Sequence, residues 1–63
     1  MDFYAESIAS ISTEIINTNN LIDVYNNRLK YINPNNSEYE ELKQKINTLK
    51  KDLKELNKIM DML

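Results

Sequence analysis

From Ile8 to Leu63 the chain carries two rows of apolar residues whose spacing alternates between three and four. The first row is Ile8, Ile11, Ile15, Thr18, Ile22, Tyr25, Leu29 and Ile32, interrupted only by the hydroxyl of Thr18. The second is Tyr39, Leu42, Ile46, Leu49, Leu53, Leu56, Met60 and Leu63. Such spacing keeps a narrow stripe on one side of a helix, the a and d positions of a heptad pattern. Between the rows lies Asn33-Pro34-Asn35-Asn36-Ser37. Folding the chain there sets Ile32 against Tyr39, Leu29 against Leu42, Ile22 against Leu49 and, at the far end, Ile8 against Leu63, every pair of numbers summing to 71. The pattern predicts an all-α protein, an antiparallel two-helix hairpin of coiled-coil type. Residues 1–63 form a single helical unit, with a helix over 3–32, a turn over 33–37 and a second helix over 38–62.

Local signals support the two helices unequally. Asp2 is a candidate N-cap for the first, but this segment is rich in Ser, Thr, Asn and β-branched Ile, all middling to poor helix formers, so its stability has to come from packing. The run Asn17-Thr18-Asn19-Asn20 is the place where it could break, yet the apolar register passes through undisturbed, which favours a continuous helix. Pro34 ends the first helix by pushing Asn33 out of the α region, and Asn is the residue expected to take a left-handed stop in a chain without Gly. Ser37 with Glu40 reads as a capping box. Glu38, Glu40 and Glu41 in the first turn, and Lys50, Lys51, Lys54 and Lys58 further on, complement the helix dipole. The pairs Glu41–Lys45, Glu40–Lys43 and Glu55–Lys58 are each expected to add about 0.3 kcal/mol.

A single stripe against a single stripe is a small core for 63 residues, and apolar residues are left over. On the first helix Ala5, Ala9 and Ile16 flank the stripe on one side, and Leu21, Val24 and Tyr31 on the other. Ile59 and Met62 lie near the end of the second helix, and Met1, Phe3 and Tyr4 meet Met60, Met62 and Leu63 at the open end. Phe3, Tyr4, Ile16, Leu21, Val24, Tyr31, Ile59 and Met62 are therefore the candidate protein interface, first of all for a homodimer that makes a four-helix bundle. The first helix strengthens this reading: from Ser7 to Asn27, outside the stripe, only Glu14 and Asp23 are charged, whereas a water-facing helix is usually laced with Lys and Glu.

Composition narrows the chemistry. The chain has no His, Cys or Trp, so the usual general base, thiolate nucleophile and zinc ligands are missing; with no Gly, there is no phosphate-cradling loop. Thr13 and Glu14 are adjacent and so do not share a helix face. Dipole compensation accounts for Glu38, Glu40 and Glu41 better than a metal does. No enzyme activity, cofactor, metal or small-molecule substrate is expected. Lys43, Lys50, Lys51, Lys54 and Lys58 make a basic strip, but it has no Arg and no interleaved aromatic, and the net charge is −2, which argues against nucleic acid. No apolar run exceeds three residues, so neither a leader nor a membrane span is expected, and Met1 is read as the start of a complete short frame in the cytoplasm.

The function expected is that of a small non-enzymatic protein-binding module, an adaptor or inhibitor that occupies a partner protein's surface. The abundance of Asn, Ile, Lys and Tyr, all with AT-rich codons, suits a low-GC bacterial, phage or mobile-element origin. The alternative is a self-assembling structural subunit or a secretion-associated hairpin. Secretion-needle subunits are hairpins of comparable build with an Asn- and Pro-containing bend.

Overall fold

The computed structural model describes residues 3–63. Two helices, α1 (Phe3–Leu29) and α2 (Ser37–Met62), pack against each other, and no strand occurs among the described residues. The helices have 27 and 26 residues, each about 40 Å long at 1.5 Å per residue. The hairpin measures 51 × 15 × 12 Å with a radius of gyration of 14.9 Å, against about 11 Å for a compact chain of this length. It is a rod two helices wide and one layer thick.

The heptad rows account for almost all of the shielding. Of the sixteen stripe residues, fifteen are buried or half-buried, and outside the stripe only Ser12 and Glu38 are less than exposed among the described residues. Ile22, Leu42 and Ile46 are the buried core. No side chain is sealed completely among the described residues, because one helix can cover only one side of another. The exception is Leu63, expected in the stripe but 39 % exposed: it caps the C-terminus of α2, its N–H donating to the Met60 carbonyl at 3.1 Å.

Contacts between the helices agree with the antiparallel register. Arg28 reaches Glu38, Lys45 reaches Tyr25, and the Tyr4 hydroxyl donates to the Leu63 carbonyl. Each lies within about a turn and a half of the expected pairing. α1 is unbroken through Asn17–Asn20. Thr18, half-buried in the stripe, satisfies its hydroxyl by donating to the Glu14 carbonyl one turn back, at 2.7 Å, so it neither seeks water nor opens the helix.

The bend differs in detail from expectation. α1 stops at Leu29 instead of 32, and the chain tightens into i to i+3 bonds: Lys30 N–H to Asn27 O, Tyr31 N–H to Arg28 O and Ile32 N–H to Leu29 O. No described residue has positive φ, so the expected left-handed Asn stop is not used; the tightened turn reaches the orphan carbonyls without it. Pro34 is the second residue of a turn closed by Asn36 N–H donating to Asn33 O at 2.9 Å, the position its fixed φ suits. The Asn33 side chain adds an Asx turn, accepting from Asn35 N–H at 2.9 Å.

The expected Ser37/Glu40 capping box is also displaced. Asn36 is the N-cap, extended at φ −78°, ψ 135°, and its Oδ1 accepts from Glu38 N–H at 3.0 Å. The residue three beyond it is Tyr39, which cannot reach back to complete a box. Glu38 and Glu40 occupy the first turn as the dipole prefers, but the last turn of α2 holds no basic residue. The Asp2 cap and the part assigned to Met1 lie outside the described residues.

Two substitutions test this account. Thr18→Val replaces a self-satisfied hydroxyl with a methyl in the half-buried stripe and is expected to stabilise by about 0.5–1 kcal/mol, raising Tm by several degrees in thermal unfolding. Asn36→Ala removes the cap of α2 and is expected to cost about 1 kcal/mol in urea unfolding with the m-value unchanged.

Candidate protein interface

Each helix leaves two flanks beside its stripe, and pairing the helices joins these flanks into two broad faces. One face can be traced directly. An open hollow brings Glu14, Asn17, Thr18 and Leu21 of α1 beside Asp52, Glu55 and Leu56 of α2. A second, nearer the bend, sets Tyr25 beside Glu41, Gln44, Lys45, Thr48 and Leu49. A third, towards the open end, is lined by Phe3, Glu6, Ser7, Ser10 and Ile11. We call this the front face. Heptad spacing continues it from Asn17 to Val24 and Tyr31, from Asp52 to Ile59, and from Glu55 to Met62.

The candidate interface residues are all exposed. Phe3 is 75 % exposed, Met62 79 % and Tyr31 83 %, with Tyr4, Ile16, Leu21, Val24 and Ile59 also open to solvent. Six of the eight, Phe3, Leu21, Val24, Tyr31, Ile59 and Met62, share the front face through the hollows and the spacing above. Ile16 falls on the back face, and Tyr4 continues the stripe at the open end, where its hydroxyl meets the Leu63 carbonyl. The sequence separated the two flanks of α1 but did not assign Ile59 and Met62 to the same side as Leu21; the pairing of the helices does.

Charges on the two faces differ. The front face carries Glu14, Glu38, Glu41, Asp52 and Glu55 against Arg28 and Lys45. Both cations are engaged. Arg28 Nε and Nη2 donate to one oxygen of Glu38 at 2.9 and 2.6 Å, and Lys45 Nζ stands 5.9 Å from the centre of the Tyr25 ring across the hairpin. Among the described residues, Arg28–Glu38 replaces the three pairs expected within α2: Lys45 turns to Tyr25 instead of Glu41, and Lys43 lies over Tyr39, 5.6 Å away, instead of meeting Glu40. An aromatic ring in the stripe offers the lysine stem apolar surface as well as a π face, whereas a solvated carboxylate offers little. The facing positions of Arg28 and Glu38, both preceding an a-position residue in the heptad, were the sequence signal for their contact.

On the back face, α2 presents Lys43, Lys50 and Lys54 together with Glu40 and Asp61, with Lys51 and Lys58 on its outer edge, and α1 presents Asp23 and Lys30, all exposed. The Thr13 hydroxyl is bound to the Ala9 carbonyl at 3.0 Å. Among the described residues no three acidic side chains converge as metal ligands would, and no helix is long and apolar enough to cross a membrane.

Compared with known protein families, curated proteins and solved structures, the chain matches none.

The Arg28–Glu38 pair is solvent-exposed on both sides, at 59 % and 41 % of the side chains, so screening limits its worth. Arg28→Ala is expected to lower stability by less than about 1 kcal/mol in urea unfolding, and the difference should shrink further in high salt.

Proposed function

We propose that this chain is a small non-enzymatic protein-binding module, an adaptor or inhibitor that works by laying the front face of its hairpin on another protein's surface. The observation that carries the reading is the position of the leftover apolar residues. The stripe draws its own residues inward, yet six large apolar side chains stay exposed on one face of a rod with little else to bury. Exposed apolar side chains interspersed with acidic ones along one face are a composition suited to recognition, the apolar groups supplying contact area and the charges setting orientation. Leu21 and Val24, on a continuous helix at the middle of the rod, are its anchors.

A partner helix laid on this face would make a three-helix bundle and a second copy a four-helix bundle, either giving α1 the second neighbour its low charge suits. The chain's lack of His, Cys and Gly supports binding over catalysis, and the cytoplasm is the compartment proposed for it. The second reading, a structural subunit that assembles with itself, draws on the acids and lysines that α2 sets on opposite sides at mid-rod, Asp52 and Glu55 against Lys50 and Lys54.

Leu21→Lys combined with Val24→Glu is expected to leave far-UV circular dichroism unchanged while weakening association at least tenfold. The comparison is quantitative capture from the source cell with tagged wild type and variant side by side. A variant that retains the same proteins, with its helicity intact, would place the working surface elsewhere.

A further inference from the structure

The contacts that hold the hairpin closed join α1 to α2, and none of them requires both helices to come from one chain. The stripe pairs residues whose numbers sum to 71, a pairing as available between two chains as within one. The same holds for Arg28 on Glu38, Lys45 over Tyr25 and the Tyr4 hydroxyl on Leu63. A second copy that supplies its α2 to the first chain's α1, and receives the first chain's α2 in return, reuses the interface already present. No other face has to be complementary to anything.

What separates the two arrangements is the bend, which is short and lightly held. Lys30, Tyr31 and Ile32 already follow α1 in a tightened helical turn and α2 begins at Ser37, so Asn33 to Asn36 are the residues that reverse the chain. Inside that segment the turn is closed by Asn36 N–H on the Asn33 carbonyl and by Asn35 N–H on the Asn33 side chain. No described residue has positive φ, so no backbone there is committed to a left-handed turn geometry. Ile32 and Tyr39 are seven residues apart, one heptad, so a helix carried through the bend sets both on the same side. Pro34 is the obstacle: inside a helix its ring meets the Lys30 carbonyl, and it has no N–H to give that oxygen.

We propose that the bend selects between two native forms of this chain, the closed hairpin and an exchanged dimer in which α1 of each copy zips along α2 of the other in the same register. Pro34 holds the balance on the closed side. The tether acts in the same direction: helices joined by a short segment see each other at an effective concentration of about a millimolar, so exchange competes only as the chain approaches that level. Exchange also requires the stripe to unzip along its length, which makes it slow in the cold and rapid near the unfolding midpoint. The exchanged form is two-fold symmetric and ends at two copies. It does not depend on the front face being a binding surface.

Wild type and Pro34→Ala, each warmed through unfolding at concentrations from micromolar to millimolar and then cooled, are compared by sedimentation velocity and small-angle X-ray scattering. Wild type is expected to remain a hairpin at micromolar concentration and to gain, towards millimolar, a species of twice the 7.5 kDa of one chain and about twice its 51 Å length. Pro34→Ala is expected to reach the same dimer fraction at a concentration at least tenfold lower. A wild type that is monomeric throughout, a dimer no longer than one hairpin, mass rising past two copies, or an unshifted Pro34→Ala would overturn the exchange. Leu21→Lys with Val24→Glu separates it from the front-face reading, because that pair leaves the stripe untouched and the exchanged dimer is expected to survive it. A dimer lost with the pair would assign association to the front face and end the exchange reading. A dimer that persists while capture of a different protein is lost supports both.

Discussion

The structure depends on one row of side chains held against another. Because each helix has only its single partner, every residue of the stripe contributes and none is redundant: the row from Ile8 to Ile32 and the row from Tyr39 to Met60 supply nearly all the shielded positions among the described residues. The rest follows from that constraint. α1 consists largely of residues that do not favour a helix, and it stays helical through Asn17–Asn20 because the stripe continues across them. Thr18 is tolerated within the row because its hydroxyl turns back to its own helix at Glu14.

Most of the fold was legible because period and register are properties of spacing, which a sequence displays directly. The two rows define which residues turn inward, and the eight apolar residues left over are the ones that the structure leaves exposed, with Leu63 added to them. The details at the bend were not legible in the same way. Four residues there, Asn33, Asn35, Asn36 and Ser37, can all cap or turn, and which one does so depends on where the preceding helix tightens after Leu29. The ion pairs were misplaced for a related reason. Spacing along one helix shows which charges could meet, but Lys43 and Lys45 had rings of the stripe within reach, one of them on the other helix. That Ile59 and Met62 share a face with Leu21 also required the pairing of the helices, since no property of either helix alone relates their flanks.

Charge is distributed with the same division. α2 carries most of the ionic residues and at mid-rod sets Asp52 and Glu55 towards the front and Lys50 and Lys54 towards the back, while α1 between Ser7 and Asn27 carries only Glu14 and Asp23. For the proposed binding surface this divides the work: α1 would offer dry contact area, and α2 a charged margin that rejects wrong orientations.

The three most buried residues, Ile22, Leu42 and Ile46, all lie in the half of the rod nearer the bend. Bringing these positions together requires closing only a short segment around Pro34, whereas the positions near Phe3 and Leu63 must close almost the whole chain. The hairpin is therefore set to zip from its bend and to fray from its open end, where Tyr4 and Leu63 form the last clasp. Amide protection should fall along the rod in that direction, which leaves the open end as the part best able to reshape itself around whatever it meets.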